Sequence, residues 1–218
     1  TAIMLIASTN FANAADIAAP STTIFDWRGA YLGVQAGYAR GDSTYVVDIS
    51  PDVTISYDPS GWLLGAYAGY NFQPADKWIA GVEADIAFGG VESGRTQVYN
   101  PAPIDQYGHS DIKWQGSLRA RLGYEFDRVL PYIAGGIAIA SYGHSVEGAA
   151  FYDEFEDTAA GWTLGTGIDY AMTDNIIARI EYRYSDYGTQ HFEQTGPAFS
   201  HTVDLAIHDV RLGMAYKF

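Results

Sequence analysis

"SLRARLGYEF", residues 117–126, carries three charged side chains, and each is flanked by apolar ones. Arg119, Arg121 and Glu125 occupy one parity, while Leu118, Ala120, Leu122, Tyr124 and Phe126 occupy the other. Successive side chains of an extended chain point to opposite faces. The stretch therefore predicts a strand with one ionic face and one apolar face. The fold turns on which face meets solvent, lipid or core.

The same alternation recurs along the chain in segments near 28–40, 61–73, 77–90, 112–126, 130–143, 161–172, 176–187 and 205–218, which predicts eight strands. Short connections carry turn formers: "PADK" (74–77), "DRVL" (127–130) and "MTDN" (172–175). Long connections fall at 41–60, 91–111, 146–160 and 188–204. The composition agrees with an all-β chain, with 24 Gly, 17 Tyr and 10 Phe among 218 residues. "GWLLGAYAGYNF" (61–72) also echoes "GWTLGTGIDYAM" (161–172), either as a duplicated unit or as two answers to one environment. The facing of the 130–143 segment stays open, because both its parities are apolar or small.

One parity is apolar throughout, from Leu32, Val34 and Ala36 through Leu64 to Phe72 and Ala80 to Phe88, and on to Val210, Leu212, Met214 and Tyr216. A soluble sandwich would bury that face, and a transmembrane barrel would turn it to lipid and keep its interior polar. Tryptophan placement favours the membrane. Trp62, Trp78, Trp114 and Trp162 each begin a strand on the apolar parity, with tyrosines near the other strand ends. Indoles prefer the boundary between apolar and wet surroundings, so these predict aromatic girdles. The regular alternation of short and long connections fits short periplasmic turns and long external loops. Charge fits as well. The net charge is −14, and the four long connections, with Asp186, hold fifteen acids against Arg95 alone. The rest of the chain is neutral, so the surplus lies at one end.

The charged parity then faces a lumen. Its expected ion-pair network is Glu83, Asp85, Lys113, Arg119, Arg121, Glu125, Asp169, Arg179, Glu181, Arg183, Asp209 and Arg211, six cations against six anions. An eight-stranded barrel is just wide enough for side chains to fill it, and buried ions have to be paired. The set predicts a neutral plug rather than an ion path, with inward glycines leaving room for the arginines.

Other classes are excluded or weakly supported. Strong acidity argues against nucleic acid, and the absence of cysteine removes disulfides and thiolate metal sites. No apolar run is long enough for a transmembrane helix. The histidines fall in no catalytic or metal-ligand spacing, so neither an enzyme nor a metal site is expected. No cofactor is expected either. The alternative is a haemin-binding surface protein using His109, His144, His191 and His201 of the external loops, where axial ligation is chemically feasible. A small low-conductance porin is the other alternative. At the start, "TAIMLIASTNFANA" (1–14) reads as a signal-peptide remnant ending in an A-x-A site, residues 15–26 as a flexible periplasmic leader, and 27–218 as the barrel.

"GSLRARLGYEF", "LPYIAGGIA", "GWTLGTGIDYAMTDNIIARIEYRYSDYG" and the terminal "VRLGMAYKF" resemble the small outer-membrane β-barrel proteins of α-proteobacteria. These are the surface antigens of Brucella and rhizobia and the haemin-binding proteins of Bartonella. The resemblance runs from about Trp27 to Phe218. It implies an eight-stranded monomeric barrel in the outer membrane of a Gram-negative cell, with loops external and both termini periplasmic. It also implies that Phe218, with Tyr216, is the signal read by the outer-membrane assembly machinery. The expected partners are outer-membrane lipid, lipopolysaccharide and that machinery, with a host surface or haemin as the external ligand. The expected role is structural, in the envelope and at the cell surface.

Overall fold

Alternation of apolar and polar residues is converted into alternation of exposure along the strands wherever side chains are described. The computed structural model of the chain describes residues 25–47, 53–57, 59–92, 96–97, 106–148, 151–193 and 200–218. Side chains are described for these except at 42–58, 92–111, 142–157 and 189–205. Ten strands are seen among them: β1 (Gly29–Val47), β2 (Val53–Tyr57), β3 (Ser60–Ala75), β4 (Trp78–Glu92), β5 (Thr96–Gln97), β6 (Gln106–Tyr124), β7 (Val129–Gly148), β8 (Phe151–Ala171), β9 (Ile176–Glu193) and β10 (Ser200–Lys217).

These ten form eight staves. β2 and β3 both pair with β1, at Val47↔Val53 through Ser43↔Tyr57 and at Arg40↔Ser60 through Gly29↔Asn71, so they are two pieces of one stave. β5 likewise continues β4 against β6. Every neighbour is antiparallel and sequential, and β10 returns to β1 from Tyr31↔Lys217 to Val47↔His201. Closure leaves the sheet no edge. The fold is a closed, eight-stranded, up-and-down antiparallel barrel.

One end carries three tight turns, and we call it the turn end. Lys77 and Asp127 take left-handed backbone there, with φ of 61° and 56°. In the third turn, the hydroxyl of Thr173 accepts from the amide of Ile176 at 2.9 Å. At the opposite, loop end the strands outrun the sequence expectation. β1 reaches Val47 and pairs with β2 inside the connection expected at 41–60. The connection expected at 146–160 is mostly ladder, because β7 runs to Gly148 and β8 starts at Phe151 with an unbroken register between them. Antiparallel pairing continues past the apolar band wherever both chains hold β-formers, and Tyr45-Val46-Val47 opposite Val53-Thr54-Ile55 does so.

The outer surface is a belt of exposed apolar side chains, among them Leu64, Leu118, Ile137, Leu164, Ile180 and Leu212. Such a continuous patch is foreign to a soluble monomer and suits lipid. Aromatics rim it. At the loop end Trp62 meets Tyr38 at 5.2 Å between centroids and Trp162 meets Tyr184 at 5.3 Å. At the turn end Trp78 meets Tyr124 and Tyr216 meets Phe218, both at 5.2 Å. Trp114 is half-buried on the same face. β7 settles its facing, with Ile133, Ile137 and Ile139 outward and Tyr132, Ala134, Ala138 and Ala140 inward.

The interior is layered. A buried apolar cluster that includes Leu63, Val91, Ile112, Tyr187 and Ile207 fills the loop end. A second, including Phe25, Trp27, Ile79, Leu130 and Ile177, fills the turn end. Phe25, within the expected leader, is thus buried against the barrel. Phe25 packs edge-on against Trp27 at 4.6 Å, and the Trp27 indole donates to the carbonyl of Asp127 at 3.1 Å. Asp26 sits outside this lid, and the hydrogen bond from Arg28 holds its carboxyl down at about 2. Residues 1–24, including the expected cleavage site, lie outside the described residues.

Candidate functional site

Between the two apolar layers lies the ionic one. Glu83 and Asp85 come from β4, Arg119 and Arg121 from β6, Asp169 from β8, Arg179, Glu181 and Arg183 from β9, and Asp209 and Arg211 from β10. All ten are buried. The five arginines balance the five carboxylates, and each charge meets an opposite one.

Glu83 anchors one half of the cluster. It accepts from Arg119 at 2.5 Å, from Arg179 at 2.6 Å, from Arg121 at 3.4 Å and from the Tyr31 hydroxyl at 2.8 Å. Asp169 takes Arg179 bidentately, at 2.7 and 3.0 Å, and Arg121 at 2.7 Å. Asp85 anchors the other half, accepting from Arg183 at 2.9 Å, from Arg211 at 3.0 Å and from the Ser117 hydroxyl. Asp209 takes Arg211 bidentately, at 2.6 and 3.1 Å. Glu181 joins the halves. It receives Arg119 at 2.7 Å, Arg183 at 2.8 Å and the Tyr132 hydroxyl at 2.6 Å.

Three lumen tyrosines escaped the sequence reading. Tyr31, Tyr67 and Tyr132 lie inward, and the guanidinium of Arg121 rests 4.0 Å above the Tyr132 ring while that of Arg179 rests 4.4 Å above Tyr67. Inward glycines serve these rings as much as the arginines. A Cβ on Gly33 would strike the Tyr67 ring, and one on Gly167 would strike Tyr132. The apolar layers also went unread, although residues such as Ile79, Leu130 and Ile177 stand on the polar parity at strand ends, where a signal was visible.

Two of the twelve expected lumen residues lie elsewhere. Lys113 is exposed, because the register shifts between Ile112 and Trp114 and the extra residue hands the inward parity from Ile112 to Gln115. Glu125 lies beyond the end of β6 in the turn, half-buried, where its amide donates to the Lys77 carbonyl at 2.8 Å. The side chains of His109, His144, His191 and His201 lie outside the described residues. The backbone places His109 one rung from His144, and His191 one rung from His201. Among the described residues no cluster of His, Asp and Glu has metal-site geometry.

Comparison with known proteins agrees with this geometry. The family model described as outer membrane protein beta-barrel domain matches residues 2–218. The 25 kDa outer-membrane immunogenic protein of Brucella abortus biovar 1 is 32% identical over 198 residues, 89% of this chain and 80% of that protein. The 31 kDa outer-membrane immunogenic protein of Brucella melitensis biotype 1 is 32% identical over 220 residues, 94% and 88% of the two chains. A 22 kDa outer membrane protein of Rhizobium leguminosarum bv. viciae is 31% identical, covering 92% and 82%. Among solved structures, the outer membrane protein OprG from Pseudomonas aeruginosa superposes with a TM-score of 0.51 at 15% identity, over 88% of this chain and 97% of that one, a likeness of fold. With lipid-facing apolar strands, aromatic rims and a family match across nearly its full length, the chain belongs to the outer-membrane β-barrel protein family.

Proposed function

We propose that the protein is a non-conducting structural barrel of the outer membrane, its lumen plugged by the ion cluster and its acidic loop end serving surface interaction. The observation that carries this reading is the sealed ionic layer: ten buried, mutually paired charges with an apolar layer on either side. Water excluded by those layers leaves the pairs in a low-dielectric setting where they hold strongly. A solute path would have to break several pairs at once, and stripping one partner from a buried pair costs about 3–5 kcal/mol. In planar lipid bilayers the folded protein therefore carries no steady current, and a stable resistive conductance would favour the porin reading instead.

The loop end faces outward in this proposal, with the described chain ends Phe25 and Phe218 on the periplasmic side. Tyr216 and Phe218, exposed together at the turn end, are then placed for the assembly machinery. Outer-membrane lipid and lipopolysaccharide surround the belt. The chain has no cysteine, so one introduced at Thr158 near the loop end is labelled on intact cells by an impermeant maleimide, and one at Asp174 in a turn is not. Labelling of Asp174→Cys alone would reverse the orientation.

A further inference from the structure

The chain crosses the turn-end mouth before it enters β1. Phe25 and Trp27 are buried there, while Asp26 and Arg28 are exposed and pair with each other at 2.9 Å. That ion pair ties residues 25–28 to themselves and not to the barrel. Ladder pairing starts only at Gly29, opposite Asn71. Among the described residues, side chains do the holding. The Trp27 indole donates to the Asp127 carbonyl and the Asn71 amide donates to the Trp27 carbonyl, both at 3.1 Å. The Lys217 ammonium stands 5.6 Å from the centre of the Phe25 ring. Lifting this lid would break those contacts and leave every ladder intact.

The anchors are spread round the rim. β1 is the first stave, and the turn that carries Asp127 joins the fourth and fifth, so Trp27 reaches across the mouth. Asn71 belongs to the second stave and Lys217 to the eighth. Asp127 presents its carbonyl from a left-handed turn. A seat assembled from such distant parts of the chain exists only once the barrel has closed. The join between lid and strand is Gly29, with φ of 111°. Glycine takes that conformation freely, and a β-branched residue does so only under strain. A Cβ at Gly29 would find room, its nearest neighbour being the Phe218 carbonyl at 3.5 Å. Glycine is demanded there by the bend and not by crowding.

We propose that residues 25–28 are a hinged lid, which turns on Gly29, docks across the turn-end mouth after the eight staves have closed, and shuts the lumen to water from that side. This rests on the sealed-lumen reading and adds a moving part to it. The chain has no cysteine, so single substitutions report on each end separately. Ala215→Cys lies in the turn-end apolar layer and Ala138→Cys in the loop-end one. Each is made in the full chain, folded in lipid nanodiscs that leave both ends of the barrel in water. A charged, water-soluble methanethiosulfonate is added, and labelling is followed by mass.

With the native lid, both positions should resist labelling. Gly29→Val strains the hinge and Trp27→Ala removes the main anchor. Each should raise the labelling rate at position 215 by about tenfold or more, the scale of one strained backbone position, and leave position 138 unchanged. Both variants should keep a heat-modifiable gel band, because the staves close without the lid. Labelling at 215 that is the same with and without these substitutions overturns the hinged lid. Loss of the folded band from both variants overturns it too, since residues 25–28 would then be part of closure itself. Rapid labelling at 138 under the native lid would strike instead at the sealed lumen.

Discussion

Glu83 shows at the scale of one residue how the lumen is built. It is almost wholly buried, yet it accepts from three arginines and a tyrosine, so its charge is shared rather than stranded. Tyr31 donates to it at 2.8 Å and itself accepts from Arg121 at 2.9 Å. Tyr67, on the neighbouring strand β3, has a buried hydroxyl without a hydrogen-bond partner among the described residues. Tyr31→Phe should therefore cost about 1.5–3 kcal/mol, the loss of hydrogen bonds to charged groups, while Tyr67→Phe should cost far less. Urea unfolding in lipid vesicles measures both, and equal losses would contradict the assignment of partners. The charged members of the cluster were legible in the sequence because charge alternated strictly with apolar residues. The tyrosines were not, since the same side chain also serves the rim, as Tyr38 and Tyr70 do.

At the scale of the element, the approach to β1 acts as a lid. Trp27 buries its ring in the turn-end layer, and its carbonyl accepts from the buried amide of Asn71 at 3.1 Å. Trp27→Ala opens a cavity there and should cost about 3–5 kcal/mol, read as a lowered unfolding midpoint; an unchanged midpoint would show that the lid adds nothing. Glycine matters at two matching places. A Cβ on Gly61 would collide with the Gly90 carbonyl, and one on Gly161 with the Asp186 carbonyl, so the echo between 61–72 and 161–172 includes a common steric demand. Strand facing was readable wherever the ladder is regular. It failed at Lys113, where one inserted residue resets the parity, and no local composition announces that bulge. Strand length was underestimated at the loop end, where polar and β-forming residues mix and pairing continues outside the apolar belt.

At the scale of the molecule, three separations coincide: apolar residues outward, ions inward, and the acid surplus at one end. An eight-stranded closure fits them together, since its interior holds side chains and little else. The central claim is the outward facing of the apolar parity. The chain's lack of cysteine allows a single nitroxide at each of Leu118, Ala120, Leu122, Ile180 and Leu212 in the protein folded into lipid bilayers. The account predicts that every one of these labels collides freely with oxygen dissolved in the acyl region and is shielded from a water-soluble nickel chelate. Relaxation by the chelate at these positions, with oxygen without effect, would contradict it.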